Sequence, residues 1–278
     1  MRSAILASGQ LISANEYTPE IHGSQILCMD PSCKAPVIFV PSSDTISSHF
    51  KTSGKGESIH AINCGFFQSL SFQDSVAKVT EYQNIIQNSS KELVVRINMN
   101  AIDPDYKPRA VEREEKEKEK KDGQEVKIKK EQTPPQTVSS LRSVKKLFTS
   151  YGPDVLASII ISIKGTKVPI SYLIRNYKEA HEALWTDKLN QNLPYFVHGV
   201  IEWVIRRDKV WYINFVNEDN CLYSLVIFEK YFKHFTYKDD ELKGKEILAY
   251  GYLKKNTFSK EKQSTEMQIK SNSYIEFL

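Results

Sequence analysis

The chain has 278 residues, of which 40% are hydrophobic and 26% are charged, a composition typical of a globular protein with room for two modest domains. Its formal net charge of +4 is compatible with binding a polyanion, but charge alone does not identify a nucleic-acid binder. No apolar run approaches the ~18 residues of a membrane span, and the N-terminus has no signal-peptide pattern, so a cytoplasmic location is expected.

The first hundred residues predict short strands around two cysteine-containing turns. Residues 4–7 and 11–14 flank a turn at Gly9 and predict a hairpin. Residues 71–87 have apolar positions at helical spacing, and residues 93–98 predict a strand. We therefore predict a small α+β domain over residues 1–100.

A candidate metal site lies within this domain. Cys28 and Cys33 form a Cys-x4-Cys pair, while His60 and Cys64 form a His-x3-Cys pair. At these spacings one turn can direct two side chains at a single ion, so the four residues predict a structural Zn²⁺ with no position left for water or substrate. Three alternatives stay open: His49 replaces His60 as a ligand, the cysteines are ordinary buried thiols, or they form a disulfide.

This region resembles the N-terminal zinc-knuckle region of competence CoiA-like proteins and related prokaryotic and phage proteins. The matching residues are Gly9, Cys28, Cys33, the His49-Phe50 pair, His60 and Cys64. The resemblance implies a protein of a bacterium, phage or mobile element. It also implies an alternative function as a metal-dependent nuclease, because a nuclease-like region follows the knuckle in that family.

The carboxylates available to such a nuclease are Asp103, Asp105 and Glu125. Glu125-Val126-Lys127 has suitable residue types, but it lies in a solvated charge run that cannot hold a metal rigidly. No convincing catalytic motif is therefore found, and the catalytic residues stay unknown. Glycine-rich phosphate loops, nucleophile elbows and dinucleotide fingerprints are also absent from the sequence, which disfavours the corresponding enzymes.

A charged linker is predicted for residues 101–140. Prolines at both ends bracket residues 112–131, which are almost wholly Glu, Lys and Arg. Such a segment either forms a solvated helix through Glu–Lys pairs or has no fixed structure.

Residues 141–193 predict a helical segment. Ser139 and Ser140 can cap a first helix, and Asp154 can cap a second helix that continues to Ile163. Residues 170–185 predict a third helix.

The final region, residues 194–278, predicts a five-stranded β-barrel. Strands are expected over 194–206, 209–216, 222–228, 246–254 and 266–277, with a helical piece over 229–235. This is the element order of an OB-fold. The region resembles bacterial nucleic-acid-binding OB-folds through Val197-x-Gly199-x-Ile201 and Leu242-x-Gly244-x-x-Ile247-x-Ala249-x-Gly251.

Simple alternation along the first strand places Trp203 and Ile205 on the same face as Tyr195.

In an OB-fold, single strands are expected on the face of strands 2 and 3 and on the loops between strands 1–2 and 4–5. Binding without sequence preference needs aromatic rings for base stacking beside cations for phosphate. The candidates are Arg206, Arg207, Lys209, Trp211, Tyr212, Phe215, Tyr223, Lys254, Lys255 and Lys260. The alternative is that the aromatic rings fill the barrel and the lysines only aid solubility. Trp211 and Tyr212 are adjacent in the strand, so they cannot both be inside.

Together these features predict a nucleic-acid-binding accessory protein with a structural zinc site, with single-stranded or processed DNA as the favoured ligand. Two alternatives remain: the CoiA-like nuclease, and a protein-interaction module in a defence or mobile-element assembly.

Overall fold

The computed structural model describes residues 1–86, 93–107, 134, 136–163, 165–257 and 262–278. Within these residues the chain is α+β, with a large mixed sheet and several short helices. Most of the predicted linker, including Glu125, lies outside the described residues. No helix among the described residues has both the length and the apolar character that crossing a membrane requires.

The N-terminal region consists of short strands. Its elements are β1 (Ser3–Leu6), β2 (Leu11–Ser13), α1 (Pro19–His22), β3 (Ile26–Cys28), β4 (Ile38–Val40) and β5 (His49–Lys51). β1 pairs with both β2 and β3, while β4 pairs with β5. The predicted hairpin is confirmed, and Gly9 has a positive φ of 84° in its turn, a conformation that glycine adopts without steric cost. Phe50 is almost fully buried and packs against the rings of Tyr17 and Phe39 in a small core.

A helical and sheet-forming layer follows. Its elements are α2 (Phe72–Ile86), β6 (Leu93–Ile97), β7 (Thr137–Val138), α3 (Leu141–Ser150), α4 (Pro153–Ala157), β8 (Ile159–Ile163), β9 (Thr166–Pro169), α5 (Ile170–Leu173), β10 (Ile174–Asn176) and α6 (Tyr177–Trp185), with a 3₁₀ turn at Asn100–Ile102. Four strands form a sheet in the order β7-β6-β8-β9. The predicted cap of α3 is confirmed, because the Ser140 side chain accepts a hydrogen bond from the Ser143 N–H.

Two predicted helices are wrong in part. The expected helix from Asp154 to Ile163 is only the short α4, after which β8 forms one of the two central strands of the four-stranded sheet. The expected helix over residues 170–185 is divided into α5, β10 and α6. Asn176 begins α6, where its side chain accepts a hydrogen bond from the Lys178 N–H. β10 instead pairs in parallel with the first long strand of the next region.

The C-terminal region is dominated by one sheet. Its elements are β11 (Tyr195–Arg206), β12 (Val210–Phe215), β13 (Leu222–Phe228), α7 (Asp239–Leu242), β14 (Glu246–Gly251), β15 (Leu253–Asn256), β16 (Ser264–Gln268) and β17 (Ile275–Phe277), with 3₁₀ turns at Glu229–His234 and Asn272–Tyr274. The strand order is β15-β16-β13-β12-β11-β14-β17, and β10 pairs with β11 as an eighth strand. The predicted closed five-stranded barrel is not confirmed: the pairing describes an eight-stranded mixed sheet, in which the fourth and last predicted strands are each divided.

A β-bulge changes the direction of side chains along β11. Ile201 pairs with Phe215 but Trp203 pairs with Asn214, so the register shifts between Ile201 and Trp203. A bulge inserts one extra residue and therefore reverses the inward–outward alternation beyond it. Simple alternation is thus wrong after Ile201: Tyr195 is fully buried, whereas 41% of Trp203 is exposed.

A single large core connects α2, α3 and the C-terminal sheet. Gly199 lies at a close approach within this core, because a Cβ at this position would clash with Tyr177 Cδ1 and would lie 2.7 Å from Phe215 Cδ1. The aromatic ring of Phe215 stacks on Tyr177 of α6 at a centroid distance of 5.3 Å. Gly199 therefore allows β11 to pass directly beneath these two rings.

Candidate metal centre and nucleic-acid interface

The four predicted zinc ligands lie together. One ligand atom from each of Cys28, Cys33, His60 and Cys64 falls within 4.8 Å of the other three. Cys28 Sγ lies 3.7 Å from Cys64 Sγ, and His60 Nδ1 lies 3.5 Å from Cys33 Sγ and 3.4 Å from Cys64 Sγ. A tetrahedral Zn²⁺ with bonds of about 2.3 Å to sulfur and 2.0–2.1 Å to nitrogen separates two sulfurs by about 3.8 Å and sulfur from nitrogen by about 3.6 Å. The donor set and its spacing therefore fit a zinc ion.

Two turns bring these side chains together. Cys28 ends β3, and the chain then reverses so that the Cys33 N–H donates to the Asp30 carbonyl at 3.0 Å. Lys34 adopts a positive φ of 51° and directs the chain back, so that Ala35 accepts a hydrogen bond from the Cys28 N–H. In the second turn the Cys64 N–H donates to the Ala61 carbonyl at 2.9 Å.

Backbone amides are placed to stabilise negative charge on the sulfurs. The Ala61 N–H donates to Cys33 Sγ and the Phe66 N–H donates to Cys64 Sγ, each at 3.4 Å. The hydrogen bond with Cys28, helped by the Phe66 amide and opposed by burial, lowers the pKa of Cys64 to about 7. The same contact and burial raise the pKa of Cys28, so the proton of the pair stays on Cys28. Burial also lowers the pKa of His60, which favours the neutral ring that a metal requires.

Asp30 connects the metal centre to the rest of the protein, and sequence reasoning missed it. Its buried carboxylate accepts hydrogen bonds from the Ser32 N–H at 2.8 Å, the Gly65 N–H at 2.9 Å and the Tyr82 hydroxyl at 2.7 Å. Lys78 Nζ lies 3.0 Å away as an ion-pair partner. Burial opposes ionisation of Asp30, but these hydrogen bonds outweigh it and hold the pKa of the carboxyl below its usual range. One side chain thus joins the first turn, the second turn and α2.

His49 and Cys221 lie outside the group of four, and Cys28 and Cys64 are not bonded to each other. His49 lies in β5, outside the group of four, and its Nδ1 is 3.0 Å from the Ser47 carbonyl oxygen. The 3.7 Å between Cys28 Sγ and Cys64 Sγ exceeds the ~2.05 Å of a disulfide, and both cysteines are free thiols. Cys221 is buried far along the chain, where burial raises its pKa to about 11.

Two of the three carboxylates considered for a nuclease, those of Asp103 and Asp105, form ion pairs, and the third, Glu125, lies outside the described residues. Lys270 Nζ lies 2.7 Å from Asp103 Oδ2 and 3.0 Å from Asp105 Oδ2. The Tyr231 hydroxyl also donates to Asp105. These contacts attach the segment after β6 to the C-terminal region and occupy oxygens that a catalytic ion would need.

Several predicted base-stacking residues are not exposed. Phe215 and Tyr223 are each 2% exposed and meet edge to face in the core, so neither offers a ring to a base. Trp211 is covered on both faces: Phe232 stacks on one at 3.9 Å between centroids, and the Arg206 guanidinium lies 4.1 Å from the ring centre. Contrary to the prediction of base stacking, these rings serve packing: Phe215 and Tyr223 lie in the core, and Trp211 is partly buried against it.

The predicted cations divide into two groups. Arg206 donates to Asp239 and to the Tyr237 carbonyl, and Lys255 pairs with Asp187 at 2.7 Å. Arg207, Lys209 and Lys254 are exposed, and the Arg207 guanidinium lies 5.9 Å from the Tyr212 ring centre. Lys260 lies outside the described residues.

An exposed apolar row marks the outer face of β11, β12 and β13. Trp203 is 41% exposed, Ile205 38% and Phe228 44%, and half-buried Tyr212 pairs directly with Ile205. We call Trp203, Ile205, Tyr212 and Phe228 the outer-face row. Of these, only Tyr212 was identified from the sequence. In the sequence, apolar residues occur on both faces of β11, which is the signal for Trp203 and Ile205. Alternation alone could not show which of these apolar residues are exposed.

No protein-family model matches this chain, and no curated protein matches its sequence. The chain therefore has no family match to support the expected relationship with CoiA-like proteins. Several solved structures are similar to part of it. The Stn1-Ten1 complex of S. pombe has 12% identity and a TM-score of 0.23, over 31% of this chain and 57% of that chain. The aspartyl tRNA synthetase of Entamoeba histolytica has 7% identity and a TM-score of 0.21, over 31% of this chain and 18% of that chain. Both TM-scores are too low to assign a fold.

Proposed function

We propose that this chain is a nucleic-acid-binding accessory protein whose outer-face row holds the bases of a single strand. The supporting observation is the exposure of Trp203 and Ile205 on β11 and of Phe228 on β13, the two strands that flank β12, in a sheet whose interior is otherwise well packed. Exposed rings stack on bases of any sequence, and Arg207 and Lys209 at the end of the row supply charge for phosphate. Single-stranded or processed DNA is the favoured ligand.

We further propose that the C-terminal sheet is an OB-like barrel. β14 pairs with β11, β15 pairs with β16, and only Tyr252 separates β14 from β15. A Cβ on Gly251 would lie 2.7 Å from Met267 Cγ, so the end of β14 closely approaches β16. β13 also pairs with β16 in parallel. A barrel that closes through the bend between β14 and β15 requires this parallel pair. These contacts support a ring of strands with the outer-face row on its exterior.

The zinc ion in this proposal is structural. Cys28, Cys33, His60 and Cys64 would fill all four positions of a tetrahedral ion, so no position is left for substrate. The ion would fix the two turns, while nucleic-acid binding belongs to the C-terminal sheet.

Fluorescence anisotropy with labelled single-stranded oligonucleotides tests the proposed function. We expect binding that weakens steeply with salt, because phosphate contacts release counterions. Trp203→Ala should weaken binding about tenfold, within the range for loss of one stacked base. Phe67→Ala is the matched control, because Phe67 is also an exposed ring, 43% accessible, but lies near the metal centre.

Absence of oligonucleotide binding at low salt would contradict the proposal. Copurification of a stoichiometric protein partner in that case would favour the interaction-module alternative. Equal weakening by Trp203→Ala and Phe67→Ala would show that the outer-face row is not the binding surface.

A further inference from the structure

A cleft of about 790 Å³ is lined by the segment 98–106, which follows β6, and by the bend that joins β14 to β15. Its volume falls within the range of about 300–1,000 Å³ that ligand sites occupy. The segment contributes Tyr106, and the C-terminal sheet contributes Tyr252, Lys254 and Gln268. None of the four candidate zinc ligands lines this cleft, so it is a separate feature of the molecule.

Strand register connects the cleft to the outer-face row. Directly paired residues of β11, β12, β13 and β16 form a line across the sheet, and they are Ile205, Tyr212, Val226 and Gln268. Neighbouring members of this line are about 4.8 Å apart, the spacing of paired strands. Leu253 pairs with Met267 in antiparallel register, which places Tyr252 opposite Gln268 at the end of the line. The line therefore begins in the outer-face row and ends in the cleft.

The whole line lies on the outside of the sheet. The residues on either side of Val226 and of Gln268 in the sequence belong to the large core, so strand alternation directs Val226 and Gln268 outward. Val226 is also buried, and its side chain is smaller than those of Tyr212 and Gln268. It therefore forms a low floor between these two larger side chains, along which the outer-face row is continuous with the cleft.

Exposed rings and a cation meet in the cleft, as they do in the outer-face row. Tyr106 is 47% exposed and Tyr252 39%, so both offer aromatic surface, and Lys254 is exposed in the same lining. The carboxylates in the lining are those of Asp103 and Asp105, and Lys270 forms an ion pair with each of them. Aromatic rings beside cations suit the bases and phosphates of a single strand.

We propose that a bound single strand continues from the outer-face row over Val226 into this cleft, where Tyr106 and Tyr252 stack on its further bases. This inference rests on the proposed function and names a second part of the same interface. The adjacent line ends at Lys254 but carries the Glu266 carboxylate, which repels phosphate, so the path over Val226 is favoured. Because the segment 98–106 supplies one side of the cleft, the C-terminal sheet alone does not complete the interface.

Fluorescence anisotropy with single-stranded oligonucleotides of graded length, from about 4 to about 16 nucleotides, tests this path. Short strands reach only the outer-face row, so Trp203→Ala should weaken their binding and Tyr106→Ala should leave it unchanged. Long strands reach both parts, so Tyr106→Ala should weaken their binding about tenfold, within the range for loss of one stacked base. Phe67→Ala is again the control at an exposed ring, and it should change binding at no length. Tyr106 is exposed, so the unfolding midpoint of Tyr106→Ala should equal that of the wild type.

Photo-cross-linking to the wild-type protein locates the bases without any substitution. A long oligonucleotide carries a photoreactive thymine analogue at one position at a time, and the cross-linked peptides are identified by mass spectrometry. Positions toward one end should cross-link to β11 or β12, and positions toward the other end to the segment 98–106 or to the bend between β14 and β15.

Cross-links confined to β11, β12 and β13, together with equal binding of long strands by Tyr106→Ala and the wild type, would overturn the path and leave the proposed function intact. Absence of binding at every length would contradict the proposed function itself, and this inference with it.

Discussion

Asp30 is a single buried carboxylate on which both turns of the metal centre depend. Its partners Gly65, Lys78 and Tyr82 come from parts of the chain 35 to 52 residues away. The cysteine and histidine spacings could be interpreted from the sequence because each pair lies within one turn. The role of Asp30 could not be interpreted from the sequence, because an aspartate beside Pro31 looks like an ordinary turn residue until its distant partners are known.

Replacing this carboxylate should destabilise the protein even when zinc is saturating. Asp30→Asn keeps the shape of the side chain but removes the charge, and its amide NH₂ faces donors such as the Tyr82 hydroxyl. We expect the free energy of unfolding to fall by about 2–4 kcal/mol, because a buried network of charge-assisted hydrogen bonds is broken. Urea denaturation in excess zinc measures this change. Asp44→Asn, at an exposed position, is the control and should change stability little; equal effects of the two substitutions would contradict this role for Asp30.

Among the elements, β8 and β11 show where local patterns cannot decide the structure. Residues 159–163 contain four isoleucines, and their apolar side chains suit one face of a helix as well as a buried strand. The outcome depends on β6, which pairs with β8 in parallel and comes from more than sixty residues earlier. In β11 the bulge after Ile201 follows from pairing with β12, so the outward direction of Trp203 was not predictable from alternation.

The two adjacent arginines at the end of β11 should have different functions. Arg206 covers one face of Trp211 and bonds to Asp239, whereas Arg207 is exposed beside Tyr212. Arg206→Ala should lower the free energy of unfolding by about 1 kcal/mol through lost cation–π and hydrogen-bond contacts. Arg207→Ala should leave stability unchanged and weaken oligonucleotide binding, with a smaller salt slope. Denaturation and anisotropy measured on both variants test these two predictions. A loss of stability with Arg207→Ala and a loss of binding alone with Arg206→Ala would contradict them.

At the scale of the whole molecule, the described residues form two unequal cores. The large core extends from α2 to the end of the C-terminal sheet, whereas the small core consists of short N-terminal strands and includes Cys28 and Cys64. Asp154 joins the two regions by accepting the backbone N–H groups of Arg2 and Ser3. Cores of so few residues usually need a metal or disulfide for stability, and the cysteines here are free. The composition predicted room for two such units, but not that α2 belongs to the larger core.

Removal of zinc should therefore unfold one region and leave the other intact. In hydrogen-exchange mass spectrometry, a strong chelator should abolish protection in β1, β2 and β3, because the binding free energy of a structural zinc is also folding free energy. Protection in β11, β12 and β14 should persist, since their buried side chains belong to the large core. Cys28→Ser should reproduce this pattern without chelator, which separates loss of the site from side effects of chelation. Simultaneous loss of protection in both regions would mean that they unfold as one cooperative unit, and unchanged protection in β1 to β3 would mean that the small core is stable without the ion.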